Sequence, residues 1–254
     1  MGQVITPRKD LRDPTVRRTK AGDFWDFGGV DLGDRVVLVE RFQRLPQLNA
    51  SVASTYANKD FEILGTNASD DDVTYASGGG VILETDAVST SSVIVLPHLT
   101  TSQSAWTGIT WDTSKQVRWE CGIETGAAIT TCVVWAGLKL TNTDVVATDA
   151  DQVLFRYSSA VNSGTWGAVY SIANTDVTAD TGLAVAVSTS YRLAIDIDSA
   201  RVPRFYINGT LYKVGTALTA SIALIPYVGV LTPTGSASAR NIKLRYEAIS
   251  RTFA

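Results

Sequence analysis

The chain has 254 residues, 45% of them hydrophobic and 19% charged, and a formal net charge of −3. That length supports one large all-β domain or two smaller ones. The near-neutral charge gives no sign of a nucleic-acid partner, and no apolar run approaches the roughly 20 residues that cross a bilayer as a helix, so no membrane is expected either.

The first twenty residues depart from this balance. They hold six cations (Arg8, Lys9, Arg12, Arg17, Arg18 and Lys20) against Asp10 and Asp13. An aromatic cluster follows at Phe24, Trp25 and Phe27. The start, MGQVITPRKD, has no signal-peptide pattern, which predicts synthesis in a cytoplasm without export. Residues 1–30 show no sustained period, and residues 1–45 are expected to form an extended arm that finds its burial on a partner. Within them RVVLVERFQRLPQL (35–48) fits a short strand or a helix, ended by Pro46.

From residue 60 the text is that of strands. FEILGT, VTYASGGGVILET, SSVIVLPHL, QVRWECGIET, ITTCVVWAGLKL, DQVLFRYSS, WGAVYSI and LAVAVS are short β-rich runs separated by Gly, Asn, Asp and Ser. This spacing predicts a sandwich or barrel. QVRWECGIET and ITTCVVWAGLKL are expected to form a hairpin that sets Cys121 opposite Cys132. Two cysteines are no disulfide framework; small core thiols and a strained cross-strand bridge are the two readings.

The clearest local signals come late. In YRLAIDI, Tyr191, Leu193, Ile195 and Ile197 alternate with Arg192, Ala194 and Asp196, the pattern of a half-buried strand. DSAR (198–201) is a turn. RFYI and TLYKV flank Asn208–Gly209, the strongest short hairpin signal because both turn residues need positive φ. IALIPYVGVL and ARNIKLRYEAIS supply the last strands.

YRLAIDID, RFYINGTLYKVG, IPYVGVL and ARNIKLRYEAIS together resemble the C-terminal half of concanavalin A-like, laminin-G-type jelly rolls, and VRWECGIETG through VYSI is similar to their middle. The wording also resembles structural proteins of tailed-bacteriophage particles. The resemblance covers residues 60–250. It implies an all-β, two-sheet antiparallel jelly-roll sandwich over residues 46–254, preceded by the arm. It further implies a virion protein, made in a host bacterial cytoplasm, that decorates or cements a capsid. Its partners would be capsid or other virion proteins and further copies of itself, docked through the arm. A host-saccharide-binding module of a head or tail fibre is the alternative, and a glycoside hydrolase the second.

Chemistry is sparse. Some folds of this class cleave glycosides with a Glu-x-Asp-x-Glu strand; here Glu120 and Glu124 stand in WECGIETG without the middle Asp, and Asp196 and Asp198 form only an i, i+2 pair. The single histidine, His98, has no nucleophile elbow to serve. The expectation is therefore a chain with no catalytic residues, no cofactor and no enzymatic role. One His and two core Cys make no transition-metal site. Asp70, Asp72, Asp149 and Asp151 are weak calcium candidates, read first as solvated loop acids. For a saccharide, Trp106, Trp111 and Trp166 are the candidate stacking rings, whereas Trp119 and Trp135 fall in strands and are assigned to the core.

Overall fold

The computed structural model of the protein describes residues 35–42, 62–96, 110–141, 149–161 and 164–253. In chain order the strands are β1 (Arg35–Glu40), β2 (Glu62–Leu64), β3 (Val73–Tyr75), β4 (Val81–Glu84), β5 (Ser92–Leu96), β6 (Trp111–Asp112), β7 (Arg118–Thr125) and β8 (Val133–Lys139). They continue with β9 (Gln152–Ser158), β10 (Thr165–Ile172), β11 (Thr175–Ala184), β12 (Ser190–Ile197), β13 (Pro203–Ile207), β14 (Thr210–Val214), β15 (Ala223–Leu231) and β16 (Asn241–Thr252).

They form two antiparallel sheets of eight strands each. The front sheet runs β14-β13-β12-β7-β16-β4-β3, with β1 also on β16; the back sheet runs β11-β10-β9-β8-β15-β5-β2, with β6 also on β15. The long β16 is shared along its length: β4 pairs with Asn241–Leu244 and β1 with Glu247–Thr252. The sandwich thus already includes Arg35, which moves the expected boundary at residue 46 towards the N-terminus.

Alternation builds the core. Trp119, Cys121 and Ile123 of β7 and Tyr191, Leu193 and Ile195 of β12 point inward, against Val134, Ala136 and Leu138 of β8 and Val153, Phe155 and Tyr157 of β9. Trp166 ties the layers together: its ring meets Phe155 and Tyr157 in its own sheet and Tyr191 of the front sheet edge-on, at centroid distances of 6.4, 6.1 and 5.6 Å.

Asn208 (φ 51°) and Gly209 (φ 83°) turn β13 into β14 as their dipeptide demands. The DSAR turn also forms, with Asp198 accepting from the backbone N–H of Ala200 and Val202, each at 2.9 Å. The expected hairpin of β7 and β8 does not. β7 lies in the front sheet and β8 in the back sheet, so the chain between them crosses from one layer to the other. Cys121 and Cys132 are therefore separate free thiols, both buried. Burial, with Glu247 and Glu120 adding to it, holds the Cys121 thiol far above its usual range, and burial pushes that of Cys132 up to about 12.

Candidate functional site

On its outward side, the middle of the front sheet carries a row set by strand register: Leu211, Tyr206, Ala194, Glu120, Ala248 and Val39, from β14, β13, β12, β7, β16 and β1. Alanines stand on both sides of Glu120, and Ala194, Glu120 and Ala248 are all buried, so this trough is a covered floor beneath taller neighbours. Two residues along β7, the next outward position is Gly122, and Tyr246 lies across it. A Cβ on Gly122 would stand 2.5 Å from Cε1 of Tyr246, so glycine is what lets the ring lie there.

Tyr246 reaches this face through a bulge. The register between β16 and β7 slips between Leu244 and Tyr246. The extra residue, Arg245, reverses the alternation, turning Tyr246 outward and Glu247 inward. The Tyr246 hydroxyl donates to Oε1 of Glu120. Burial, together with the neighbouring Glu120 carboxylate, holds the phenol well above its usual range, so it stays a donor. Glu120 itself is 2% exposed, while Tyr246, Tyr206 and Arg192 are half-buried. The groups that meet solvent are therefore rings and guanidinium groups, with the carboxylate beneath them.

Ion pairs frame the trough. Arg118 Nε lies 3.0 Å from Oδ1 of Asp196. Glu124 takes Lys243 at 3.2 Å and is also paired with Arg245. The Arg245 hydrogen bond outweighs the opposing desolvation and, with help from Lys243, holds the Glu124 carboxyl below its usual range. Glu120 and Glu124 are four residues apart on β7, the same spacing as the two glutamates of a Glu-x-Asp-x-Glu strand. Gly122 occupies the place of the middle Asp. Glu120 accepts from the Tyr246 hydroxyl, and Glu124 is paired with Lys243 and Arg245.

Several sequence candidates move. Trp111 and Trp166 are 1% and 0% exposed, so neither offers a face to a sugar. Large rings plug the core here because the two sheets need volume at those inward positions. Asp149 and Asp151 are not solvated loop acids but buried ones. Asp149 accepts from the Leu140 and Thr141 N–H groups and pairs with Lys139, and Asp151 accepts from Thr219 Oγ1 and Ala173 N–H. Asp72 accepts from Ser69 N–H and Oγ–H across a 3₁₀ turn that contains Asp70. Both oxygens of Asp149 and one each of Asp72 and Asp151 are committed to protein donors, and the Asp70 side chain lies outside the described residues. Among the described residues no cluster of three or more His, Cys, Asp or Glu is suited to a metal. Trp106, His98 and the arm residues Arg8, Lys9, Arg12, Arg17, Arg18, Lys20, Phe24, Trp25 and Phe27 lie outside the described residues.

Sequence reasoning passed over Tyr206, Tyr246 and Arg192. Tyr206 and Arg192 sit at the outward positions of RFYI and YRLAIDI and were open to view. Tyr246 was not, because its direction depends on the bulge. The one signal was a slip in parity: Ile242 and Leu244 are even-numbered core positions and Ile249 is odd.

No protein-family profile matches the chain, and no curated protein matches it. Solved structures do. A protein of unknown function from Shewanella oneidensis MR-1 superposes with a TM-score of 0.56 at 10% identity, covering 86% of this chain and 87% of that one. The Bacillus licheniformis beta-glucanase gives 0.54 at 11% identity, covering 84% and 97%. A native glycosidic hydrolase gives 0.54 at 10% identity, covering 84% and 94%. The expectation of a chain without an enzymatic role is overturned by these likenesses: the fold is one that polysaccharide-cleaving enzymes use, and a missing motif no longer weighs against a catalyst. At this identity the likeness concerns architecture alone. The chain is an all-β, two-sheet antiparallel jelly-roll sandwich of the concanavalin A-like kind.

Proposed function

We propose that the protein binds a polysaccharide on the outer face of its front sheet, in the trough over Glu120. The observation that carries this reading is the row Tyr206–Ala194–Glu120–Ala248, with the Tyr246 hydroxyl seated on Glu120. The half-buried rings of Tyr206 and Tyr246 offer apolar faces beside hydrogen-bonding edges, which is what a sugar matches. Arg118 and Arg192 at the rim supply donors to sugar oxygens. Glu120 holds the Tyr246 ring in place from below. The fold shared with a beta-glucanase is in keeping with this reading.

Native gel electrophoresis through soluble β-glucan, alginate and xylan tests it, with reducing-end release followed on the same samples. At least one polymer retards the wild-type chain, and Tyr206→Ala weakens the retardation by roughly tenfold, the scale of one aromatic contact. Migration unaffected by every polymer, or retardation that Tyr206→Ala leaves intact, rejects the site. Release of reducing ends that is abolished by Glu120→Gln would add turnover to binding.

A further inference from the structure

Strand register also arranges the cations of the front sheet's outer face. They lie in rows on both sides of the Glu120 row. On one side, Arg204 of β13 pairs with Asp196 of β12, which pairs with Arg118 of β7, which pairs with Ser250 of β16. Arg35 of β1 brings its Nη2 to 3.1 Å from Ser250 Oγ and so joins this row. On the other side stands Arg192, opposite Gly122, and beyond it Lys243 and Arg245 about Glu124. Strand geometry puts successive outward rows about 7 Å apart, and strands two apart, such as those of Arg204 and Arg118, at about 10 Å.

These six cations share their rows with four carboxylates: Glu120, Glu124, Asp196, and Asp198, which pairs with Arg204 at 2.8 Å. The formal charge of these rows is therefore +2, on a chain whose total is −3. Height favours the cations further. The side chains of Arg118, Arg204 and Arg245 are 44, 33 and 38% exposed, against 20, 25 and 22% for Asp196, Asp198 and Glu124; Lys243, at 21%, lies as low as the acids. Glu120 is buried beneath Tyr246. A ligand reaching this face meets guanidinium groups before carboxylates. Between the cationic rows, Leu211 and Val39 are exposed at the two ends of the Glu120 row, so the ground between the charges is apolar.

We infer that the polymer bound here is an acidic polysaccharide, which crosses the strands along the Glu120 row with its carboxylates against the arginines on both sides. This rests on the reading that the face binds a polysaccharide, and adds the class of polymer. A planar guanidinium matches a carboxylate in two hydrogen bonds at once, which a neutral sugar hydroxyl cannot offer.

Surface plasmon resonance of the full-length chain over immobilised polygalacturonate, and over the same polymer methyl-esterified, tests the class, because the ester keeps the backbone and removes its charge. The acid form should bind roughly tenfold more tightly at about 0.1 M salt, where charges act over about 10 Å, and the difference should close at about 1 M, where they act over about 3 Å. Arg192→Gln and Arg118→Gln keep hydrogen-bond donors and lose the charge. Each should weaken polygalacturonate by up to about fivefold and leave the ester unchanged. The six cations of residues 1–20 remain in both variants, so attraction to them would survive the substitutions. Equal binding of the two polymers, weakened in both by Tyr206→Ala, keeps the polysaccharide reading and overturns its acidic class. Polygalacturonate binding that neither arginine variant changes places the anion elsewhere and also overturns it. No binding to polygalacturonate, with β-glucan still retarding the chain in the gel, overturns the class alone; no binding in either test removes the reading with it.

Discussion

Trp119 on β7 donates its indole N–H to Oε1 of Glu247 on β16 over 2.7 Å, and Oε2 of that carboxyl has no partner. Glu247 faces the core because of the bulge at Arg245, and it is flanked in register by Glu40 and Cys121. Burial pushes its carboxyl up to about 8, with the Trp119 hydrogen bond opposing and Glu40 reinforcing the shift. The folded chain therefore holds a proton that the unfolded chain releases above its ordinary value of 4.5. Stability from this group is fully present below about pH 4.5, falls as pH rises towards 8, and levels off above it. The loss is at most on the order of 5 kcal/mol. Urea midpoints from pH 5 to 9 should fall for the wild type and stay flatter for Glu247→Gln. Parallel curves for the two proteins would show that Glu247 does not carry the dependence.

The ion pair of Lys139 and Asp149 should behave as a buried one. Lys139 Nζ lies 3.5 Å from Oδ2, and the side chains are 1% and 0% exposed. The ammonium also sits 5.2 Å from the Tyr227 ring centroid. Removing the carboxylate takes one partner from the buried ammonium and orphans the Leu140 and Thr141 N–H groups, so Asp149→Ala should cost about 3–5 kcal/mol. The double replacement Lys139→Met with Asp149→Ala should recover part of that loss, because the buried ammonium goes with its carboxylate. Denaturant midpoints of the two single variants and the double one check this; additive losses would contradict it.

Arg118 and Asp196 provide the contrast. They are separated by 3.0 Å, closer than the buried pair, yet their side chains are 44% and 20% exposed. Solvent screening reduces such a pair to about 0–1 kcal/mol. Arg118→Ala should leave the thermal midpoint nearly unchanged while weakening polysaccharide retardation, since this guanidinium is at the rim of the trough. A large loss of stability would mean that the pair holds β7 to β12 more than exposure implies.

Local grammar made much of this fold legible. The alternation in YRLAIDI and the Asn208–Gly209 turn became β12, β13 and β14 as read. What failed was non-local. The text of β7 and β8 fits a hairpin equally well, and only packing against the rest of the core sends the two strands to different sheets. β11 (Thr175–Ala184) escaped notice because it is polar, and LAVAVS took its place in the reading. Its residues alternate only between exposed and half-buried, as an edge strand does. The tryptophans were misjudged for a related reason, since a ring beside a loop in sequence says nothing about which way its strand faces.

The site rests on one missing side chain, and that gives the sharpest prediction. At Gly122 a Cβ would meet Cε1 and Cδ1 of Tyr246 at 2.5 and 2.8 Å. Gly122 is not among the positive-φ glycines, so Gly122→Ala does not strain the backbone. The alanine must instead push the ring aside and break the Tyr246–Glu120 hydrogen bond. The stability cost should be modest, about 1 kcal/mol for a displaced ring and one lost hydrogen bond. The effect on binding should be larger, because the ring that lines the trough is then displaced. Retardation in the polysaccharide gel should drop to the level of Tyr206→Ala while the unfolding midpoint moves little. If both change in proportion, Tyr246 acts as packing for the sheet; if the midpoint falls and retardation holds, the trough is not where the polymer sits.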